Sequence, residues 1–237
     1  MNIAIIGYGK MGKEIEKLAL ERNHKIVAKI DFDNLNNLNK DIIKNSDVAI
    51  EFTNPKSAFD NYMKCFEANV PVVSGTTGWL SNYDKLKTFC IENEKTFFYA
   101  SNFSLGVNIF FELNKKLAKI MDGFENYDVS IEETHHTEKL DAPSGTAITL
   151  ANKIVSEIDR KKSWTSEGTE DNQINIKSFR LENVTGEHTI KYDSHVDSIQ
   201  LKHEAKNRKG FALGAILAAE FTAGKTGIFG MEDLLKL

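Results

Sequence analysis

The chain has little cysteine, no excess of positive charge and no long apolar run. Its 237 residues include only two cysteines, Cys65 and Cys90, and its formal net charge is −4. Two cysteines form no disulfide framework, and both fall in helical patterns where a buried structural thiol is the usual role, which fits a reducing compartment. Faces that bind nucleic acid usually show a basic excess, so the acidic balance argues against that partner.

Two further absences concern the location of the protein. No apolar run approaches the roughly 20 residues of a membrane-spanning helix. The N-terminus MNIAIIGYGK lacks the basic and then apolar pattern of a signal peptide. We therefore expect a cytoplasmic protein with no membrane partner. The chain does contain 41% apolar and 27% charged residues, which is typical of a soluble globular protein with one large domain or two small ones.

The first half of the chain alternates short apolar runs with amphipathic helical patterns. The runs that predict strands are NIAIIG, KIVAKID, SDVAIEFT, PVVSGTT and TFFYASNF. Strand–helix alternation predicts an α/β domain in which helices cover both faces of a parallel sheet. In such sheets, ligands bind beyond the carboxyl ends of the strands.

After Asn102 the pattern becomes that of a second, smaller α+β domain. A long helix, LGVNIFFELNKKLAKIMDG, precedes four predicted strands, and one helix, GTAITLANKIVSEIDR, interrupts them. The polar segment KKSWTSEGTEDNQ predicts a mobile loop. The tail FALGAILAAEFTAGKTGIFGMEDLLKL predicts helix again, and its periodicity does not say where it packs.

A glycine-rich loop connects the first strand to the first helix. Gly7, Gly9 and Gly12 have the spacing that permits a tight turn, close approach of a pyrophosphate and close helix–strand packing. Asp31 ends the second strand 19 residues after Gly12, near the expected position of a ribose-binding acid. This context predicts a Rossmann-type dinucleotide site rather than a turn without a ligand. The loop also contributes Tyr8, Lys10 and Met11.

The residues around Asp31 bear on the choice of cofactor. Asp31 would accept hydrogen bonds from an adenosine ribose and would repel a 2′-phosphate, and the following Phe32 supplies no positive charge. Lys10 and Lys29 could still reach such a phosphate. We expect NADH or NADPH as cofactor, with NADH favoured.

Polar residues follow three further strands. Any one of these segments could be only a turn, but their placement at successive strand ends predicts a cofactor cleft. The residues are Phe52, Thr53, Gly75, Thr76, Thr77, Ala100, Ser101, Asn102 and Phe103. The aromatic residues of FFYASNF are expected to be mostly strand core, with Phe103 as the exception.

The segment EETHHTEKLDAPSGTA, residues 132–147, gathers two histidines and a lysine directly before an open helix start. It resembles the signature of the dihydrodipicolinate reductase family. The resemblance extends over essentially the whole chain through KMG, EFT, GTTG, ASNFSLGVN, TGEHT and GIFGMEDLL. It implies a dinucleotide-binding domain of residues 1–104 and 208–237. It also implies a substrate-binding and tetramerisation domain of residues 105–207. The C-terminal segment that follows returns to the first domain.

The resemblance also implies a reaction, in which a cyclic hydroxylated imine dicarboxylate loses water and a nicotinamide hydride reduces its double bond. Hydride addition leaves an enamine-like centre that needs a proton, a role that suits histidine at neutral pH. By motif position His135 is the expected acid and Lys139 its cationic neighbour, either as a second donor or as a counter-charge. Substrate contacts are expected from His136, Lys139, Ser144, Gly145 and Thr146.

Several simpler interpretations compete with this one. The histidine pair could be structural, and Glu132 and Glu133 could merely orient their neighbours. The histidines His188, His195 and His203 lie on other segments. The pair lacks the spacing of a helical zinc site, so we predict no catalytic metal. A reductase of another small carboxylated imine, or a nicotinamide sensor without turnover, are the alternative functions. A sensor would need no proton donor, so the His135–Lys139 pair argues for an enzyme.

Overall fold

A computed structural model of the chain describes residues 1–168, 170–207 and 209–237. Thr169, in the polar segment, and Arg208, at the predicted return to the first domain, lie outside the described residues. The chain divides into two compact units, of which the first comprises Met1–Leu105 and Lys209–Leu237 and the second Gly106–Arg208. None of the helices in the described ranges has the length and apolar character needed to cross a membrane.

The first unit contains a six-stranded sheet in which all neighbouring strands are parallel. Its order is β11-β5-β4-β3-β1-β2. This sheet and its helices confirm the predicted α/β domain. The strands are β1 (Asn2–Ile6), β2 (Lys25–Ile30), β3 (Val48–Glu51), β4 (Val72–Ser74), β5 (Thr96–Tyr99) and β11 (Gly227–Phe229).

Helices cover both faces of this sheet because successive residues of each strand point to opposite sides. Ile3 and Ile5 of β1 pack in one core cluster with residues of α1 and α7, whereas Ala4 and Ile6 pack in another with residues of α3 and α4. The helices are α1 (Lys10–Glu21), α2 (Lys40–Ile43), α3 (Pro55–Glu67), α4 (Tyr83–Glu92), α7 (Lys209–Thr222) and α8 (Met231–Leu235).

Both cysteines lie in the core cluster that contains Ala4 and Ile6 of β1. Cys65 on α3 and Cys90 on α4 are both free and buried. Burial raises the pKa of Cys65, and it raises the pKa of Cys90 to about 11. Thiols with raised pKa values are poor nucleophiles at neutral pH, so both are structural, as predicted.

The C-terminal tail is not wholly helical, so that expectation is wrong. Its strand β11 pairs in parallel with β5, and the Thr96 hydroxyl donates to the carbonyl oxygen of Lys225. A three-residue strand between helices is too short to show a period, and its pairing with β5 is a long-range effect. The preceding α7 is joined to α1 by Arg22, whose guanidinium lies 2.8 Å from the carboxylate of Glu220.

The second unit is built on a five-stranded mixed sheet of order β10-β9-β6-β8-β7. Strand β6 is parallel to β8 and antiparallel to β9. Two helices, α5 (Leu105–Met121) and α6 (Gly145–Val155), contribute apolar side chains to its core. The strands are β6 (Asp128–His135), β7 (Ser163–Thr165), β8 (Gln173–Arg180), β9 (Glu187–Asp193) and β10 (Ser198–Glu204). The predicted α+β class is confirmed.

The polar segment after α6 is not a loop throughout, which corrects the expectation of a mobile loop. Part of it forms β7, and the side chain of Lys161 is only 2% exposed. Its ammonium donates to the carbonyl oxygens of Asp171 and Gln173 at 2.8 and 2.9 Å and lies 2.6 Å from the Asp128 carboxylate. A buried lysine is tolerated only when it is paired in this way.

Candidate functional site

Backbone hydrogen bonds around the glycine loop join the ends of β1, β2 and β3. The amide of Gly7 donates to Ile30 of β2 at 2.8 Å, and the amide of Phe52, after β3, donates to Ile6 of β1 at 2.8 Å. Gly7 has a φ of +92°, and a Cβ on it would collide with the carbonyl oxygen of Phe52. Only glycine is tolerated there. No side chain caps α1 at Gly9, so its first amides remain available for an anion.

A cavity of about 350 Å³ lies beside this loop, at the carboxyl ends of β1, β3 and β4. Both its position at the strand ends and the uncapped helix start suit the pyrophosphate part of a dinucleotide. Its lining consists of Gly9, Lys10, Met11, Gly12, Phe52, Thr53, Pro55, Gly75, Thr76 and Thr77.

A buried carboxylate organises the polar lining of the cavity. Glu51, the last residue of β3, is fully buried and accepts hydrogen bonds from Ser74 at 2.8 Å and from Thr76 at 2.9 Å. The hydroxyl of Thr53 donates to the same carboxylate, and the amide of Thr53 donates to Thr76 at 2.8 Å. Because three hydroxyls satisfy the carboxylate, Thr53 and Thr76 of the cavity lining are held in fixed orientations.

The end of β2 carries Asp31 and, two residues earlier, Lys29. The carboxylate of Asp31 accepts from the amide of Phe32 at 2.9 Å. Lys29 pairs with Glu16 of α1 at 2.7 Å and lies over the ring of Tyr8, 5.0 Å from its centre. The Tyr8 hydroxyl donates to the same Glu16. The hydrogen bond to Glu16 raises the pKa of Lys29, and Lys29 lowers the pKa of Glu16, so the positive charge is locally neutralised.

In the second unit, strand β6 carries two ionisable side chains on its buried face. Burial alternates along the strand, and the buried positions are Val129, Ile131, Glu133 and His135. Alternate residues of a strand share a face. The apolar face of β6 therefore ends in a carboxylate and an imidazole.

Glu133 joins His135 to a guanidinium on the neighbouring strand. One oxygen of Glu133 contacts Nδ1 of His135, and the other accepts from Nη1 of Arg180 at 3.1 Å. Arg180 is the residue of β8 directly opposite His135. Burial alone would raise the pKa of Glu133, but its partners His135 and Arg180 outweigh burial and lower the pKa to about 2. Glu133 is therefore a buried anion with a partner on each oxygen.

Arg180 also fixes the loop that follows β6. It donates to the carbonyl oxygen of Asp141 at 2.7 Å and to that of Lys139 at 3.3 Å. The ammonium of Lys139 pairs with both carboxylate oxygens of Asp141 at 2.7 Å. Lys139 is thus held by its backbone and its head group in a loop anchored to the same arginine.

A second histidine, His188, lies against the ring of His135. His188, on the buried face of β9, has its ring centre 5.1 Å from that of His135. Burial, followed by the charge of His135, lowers the pKa of His188 to about 3, so His188 is neutral at neutral pH. A hydrogen bond of 3.0 Å joins its Nε2 to the Ser144 hydroxyl, which also accepts from the amide of Ala147 as the cap of α6.

The start of α6 offers an anion-binding group. Ser144 caps the helix through the amide of Ala147, which is the third amide of the helix. The amides of Gly145 and Thr146 come before it and lie outside the internal hydrogen-bond ladder, as the first amides of any helix do. Their location at the positive helix end suits a carboxylate.

Glu133, His135 and His188 offer three possible metal-ligand atoms within 4.8 Å of one another. Both oxygens of Glu133 are already engaged, one of them by Arg180. A guanidinium at that position places positive charge where a cation would bind, and it repels one. Glu133 and His135 are therefore better described as a hydrogen-bonded pair, with the ring of His188 against that of His135, than as a metal centre.

Two family models match the chain over nearly its full length. The model described as "Dihydrodipicolinate reductase, N-terminus" matches residues 1–103, and "Dihydrodipicolinate reductase, C-terminus" matches residues 106–235. The chain belongs to the dihydrodipicolinate reductase family.

Relatives of the same family agree with this assignment. The 4-hydroxy-tetrahydrodipicolinate reductase of Christiangramia forsetii is 53% identical, over 99% of this chain and 98% of its own length. The 4-hydroxy-tetrahydrodipicolinate reductase of Rickettsia bellii is 39% identical, over 100% of this chain and 95% of its own length. Among solved structures, a dipicolinate-bound dihydrodipicolinate reductase from Paenisporosarcina sp. TG-14 matches with a TM-score of 0.79 and 26% identity, over 98% of each chain.

Within this dihydrodipicolinate reductase fold, many of the predicted cofactor residues come together. Nine of them line the cavity, and Pro55, which the sequence did not single out, joins them. Gly7 lies beneath the loop, Tyr8 turns to Glu16, and Asp31 stands at the end of β2. Ala100, Ser101, Asn102 and Phe103 follow β5 and are not part of the cavity lining.

Phe103 is a core residue, which corrects the expectation that it is the exception among its aromatic neighbours. Its side chain is only 2% exposed, and its ring lies 5.6 Å from that of Phe52 and 5.9 Å from that of Phe98. Any contact of Phe103 with a cofactor would have to be made by its main chain.

The predicted substrate residues lie along one continuous stretch of the second unit. His135 ends β6, His136 and Lys139 lie in the following loop, and Ser144 caps α6 with Gly145 and Thr146 behind it. Sequence reasoning missed Arg180 and His188 and gave Glu133 only an orienting part. The available signal was the period of two in β6 and β9, which places Glu133 and His188 on buried faces where an unpaired charge is not tolerated.

Proposed function

We propose that the chain is an NAD(P)H-dependent 4-hydroxy-tetrahydrodipicolinate reductase of diaminopimelate and lysine biosynthesis. Its product is tetrahydrodipicolinate. The observation that carries this proposal is an almost fully buried imidazole, His135, at the end of β6 in a chain of the dihydrodipicolinate reductase family, followed along the sequence by Lys139 of the loop and by the capped start of α6. A binding protein without turnover has no need of a positioned proton donor.

The bound nicotinamide supplies a hydride to the conjugated double bond that remains after loss of water. The electron pair of that bond then resides on an enamine-like centre next to the ring nitrogen. His135 donates a proton there, so that its N–H bond breaks, a C–H bond forms and the imidazolium becomes neutral imidazole. Lys139 supplies positive charge to the substrate when it exchanges its ion pair with Asp141 for a substrate carboxylate.

The substrate carries two carboxylates, and the second unit offers matching groups. The free amides of Gly145 and Thr146 cradle one carboxylate at the positive end of α6. Lys139 and His136 contact the substrate from the loop, and Ser144 shapes the helix start. These groups bind and orient the substrate relative to His135.

The residues near Asp31 support a preference for NADH. The carboxylate of Asp31 accepts hydrogen bonds from a ribose but repels a 2′-phosphate, and Phe32 is an exposed aromatic residue. Lys29 is paired with Glu16 and so is not available as a counter-charge. A dinucleotide without the additional phosphate therefore fits this strand end better.

We also propose a homotetramer built through the sheet of the second unit, in the cytoplasm. Strand β10 is an edge strand of that sheet, with mostly exposed side chains, and an unpaired edge of this kind favours pairing with another chain. Size-exclusion chromatography with light scattering measures the assembly. A monomer at micromolar concentration would contradict it.

The experiment that tests the function is a coupled assay. The unstable substrate is generated from pyruvate and aspartate semialdehyde by its synthase, and oxidation of NADH and NADPH is followed separately after addition of this protein. Oxidation that depends on the synthase, with higher kcat/KM for NADH, is expected. Nicotinamide binding without oxidation would instead favour a different imine substrate or a sensor.

A further inference from the structure

We propose that Glu133, held by Arg180, is a positioning residue that fixes His135 with Nε2 as its proton-donating atom. The role rests on the proposed function, in which His135 is the acid. It goes beyond that function by assigning the donating atom and the residue that orients it.

The first step is the fixed position of Nδ1. Nδ1 of His135 contacts a carboxylate oxygen of Glu133, and that carboxylate is fully buried. A proton on Nδ1 is shared with Glu133 and cannot reach a substrate. The ring can therefore deliver a proton only through Nε2, provided that the ring does not rotate.

The second step is the space in front of Nε2. Gly186, immediately before β9, is buried, and a Cβ on it would lie 3.0 Å from Nε2 and 3.2 Å from Cδ2 of His135. A side chain at this position would press against the donating edge of the ring. The glycine leaves that edge open while the Nδ1 edge is closed by Glu133.

The third step is the rigidity of Glu133 itself. Its other oxygen accepts from Arg180, which also donates to the carbonyl oxygens of residues 139, 141 and 179. The amide of Leu181 donates to the carbonyl oxygen of His135 at 2.9 Å. The carboxylate and the imidazole are thus both fixed to the end of β8, so the ring position does not depend on one flexible contact.

Charged and titratable groups surround His135. Glu133 faces it from β6, Arg180 from β8 and neutral His188 from β9, while Lys139 of the loop and His203 of β10 act electrostatically on His188. Among these groups, Glu133 is the one in direct contact with Nδ1 of His135. His188 remains neutral and so does not compete as an acid.

Glu133→Gln tests this role because it keeps the shape and removes the charge. We expect kcat/KM for the imine substrate to fall roughly 10- to 100-fold, within the range available from the acid itself. The loss should fall on kcat with KM little changed, because orientation of the acid matters in the transition state rather than in substrate binding. Cofactor binding should not change.

Matched variants separate orientation from folding. Glu132→Gln changes the exposed neighbour on the same strand and should leave kcat and KM unchanged. Glu133→Asp keeps a carboxylate at the same position, so it should recover part of the kcat that Glu133→Gln loses. In a His135→Gln background, Glu133→Gln should cost almost nothing further, since a residue that acts through another shows no independent effect.

Two results would overturn the role: a loss confined to KM in Glu133→Gln, or equal losses with and without His135. The ¹⁵N chemical shifts of the His135 ring give a comparison without turnover, and they should change in Glu133→Gln and stay as in the wild type in Glu132→Gln. An inactive wild-type protein would refute the proposed function, whereas the NMR comparison would still decide whether Glu133 acts on His135.

Discussion

At the scale of single residues, the two ring nitrogens of His135 have different surroundings. Nδ1 contacts a buried carboxylate, and Nε2 faces the position that a Cβ on Gly186 would occupy. The proposed acid therefore depends on one charge and one missing side chain, and each can be altered separately.

Replacing His135 tests the acid directly. In His135→Gln we expect turnover to fall by roughly two to four orders of magnitude, because the proton donor is lost. Cofactor affinity, measured by fluorescence or calorimetry, should stay at the wild-type value because the loop and the cavity belong to the other unit. Near-normal turnover would remove His135 from the mechanism.

Adding a methyl group at Gly186 tests the open edge. In Gly186→Ala we expect kcat/KM to fall roughly ten-fold, because displacement of a positioned group by a fraction of an ångström is costly in rate. The matched control is Gly123→Ala, where an added Cβ meets only a carbonyl oxygen at 3.7 Å. Equal activity of the two variants would show that Nε2 has more room than the structure gives it.

Residue identity alone could not reveal the partners of His135. The string of residues 132–147 placed His135, Lys139 and Ser144 by motif. Arg180 and His188, however, reach the site through strand pairing, which joins His135 to Arg180 and Glu133 to His188, positions 45 and 55 residues apart, and leaves no local trace. The period of two in β6 did carry information, because it placed Glu133 on the buried face.

At the scale of elements, the contact between α1 and β2 connects helix packing to cofactor choice. Lys29 and Asp31 lie two residues apart at the end of β2 and so share a face of the strand. Glu16 of α1 holds Lys29 by an ion pair at 2.7 Å. Removing that carboxylate should release a cation next to the ribose-binding acid.

Glu16→Gln should therefore increase the use of NADPH. We expect the ratio of kcat/KM for NADPH to that for NADH to rise by about ten-fold, the worth of one charge-assisted hydrogen bond. Glu21→Gln changes an exposed residue of the same helix and should leave the ratio unchanged. If both variants behave alike, Lys29 does not reach the 2′-phosphate.

Strands β1 to β5 of the first unit were predictable from the sequence because each is an apolar run between helical patterns. The strands that were missed, β7 and β11, have three residues each and are formed by pairing with β8 and β5. Phe103 was misassigned because its position after a strand end suggested a cleft, whereas its ring packs on Phe52 and Phe98. Tertiary contacts decide such positions, and periodicity does not record them.

At the scale of the whole molecule, two buried groups make stability depend on pH in the same direction. The folded-state pKa of His188 is lowered from 6.5 to about 3, and that of Glu133 from 4.5 to about 2. At a pH between the folded and unfolded pKa values of either group, the unfolded chain binds more protons than the folded one. The stability that these groups contribute is therefore fully present above pH 6.5. It is lost as the pH is lowered, first through His188 and then also through Glu133.

His188→Gln should flatten this dependence. In urea titrations between about pH 7 and pH 5, the wild-type unfolding free energy should fall by up to about 1.4 kcal/mol per pH unit from this group, and the variant should lack that contribution. His195→Gln alters an exposed histidine and should keep the wild-type slope. Parallel slopes in wild type and His188→Gln would mean that His188 is protonated in the folded state.

The pairing of β11 with β5 also has a consequence for the order in which the chain can fold on the ribosome. The first unit consists of Met1–Leu105 and Lys209–Leu237, and its sheet is complete only when Gly227–Phe229 has been synthesised. Until then β5 is an open edge, and the face that α7 covers is bare. The middle segment of the gene therefore encodes the unit whose sequence is complete first, and the unit that begins the protein is the last to be finished.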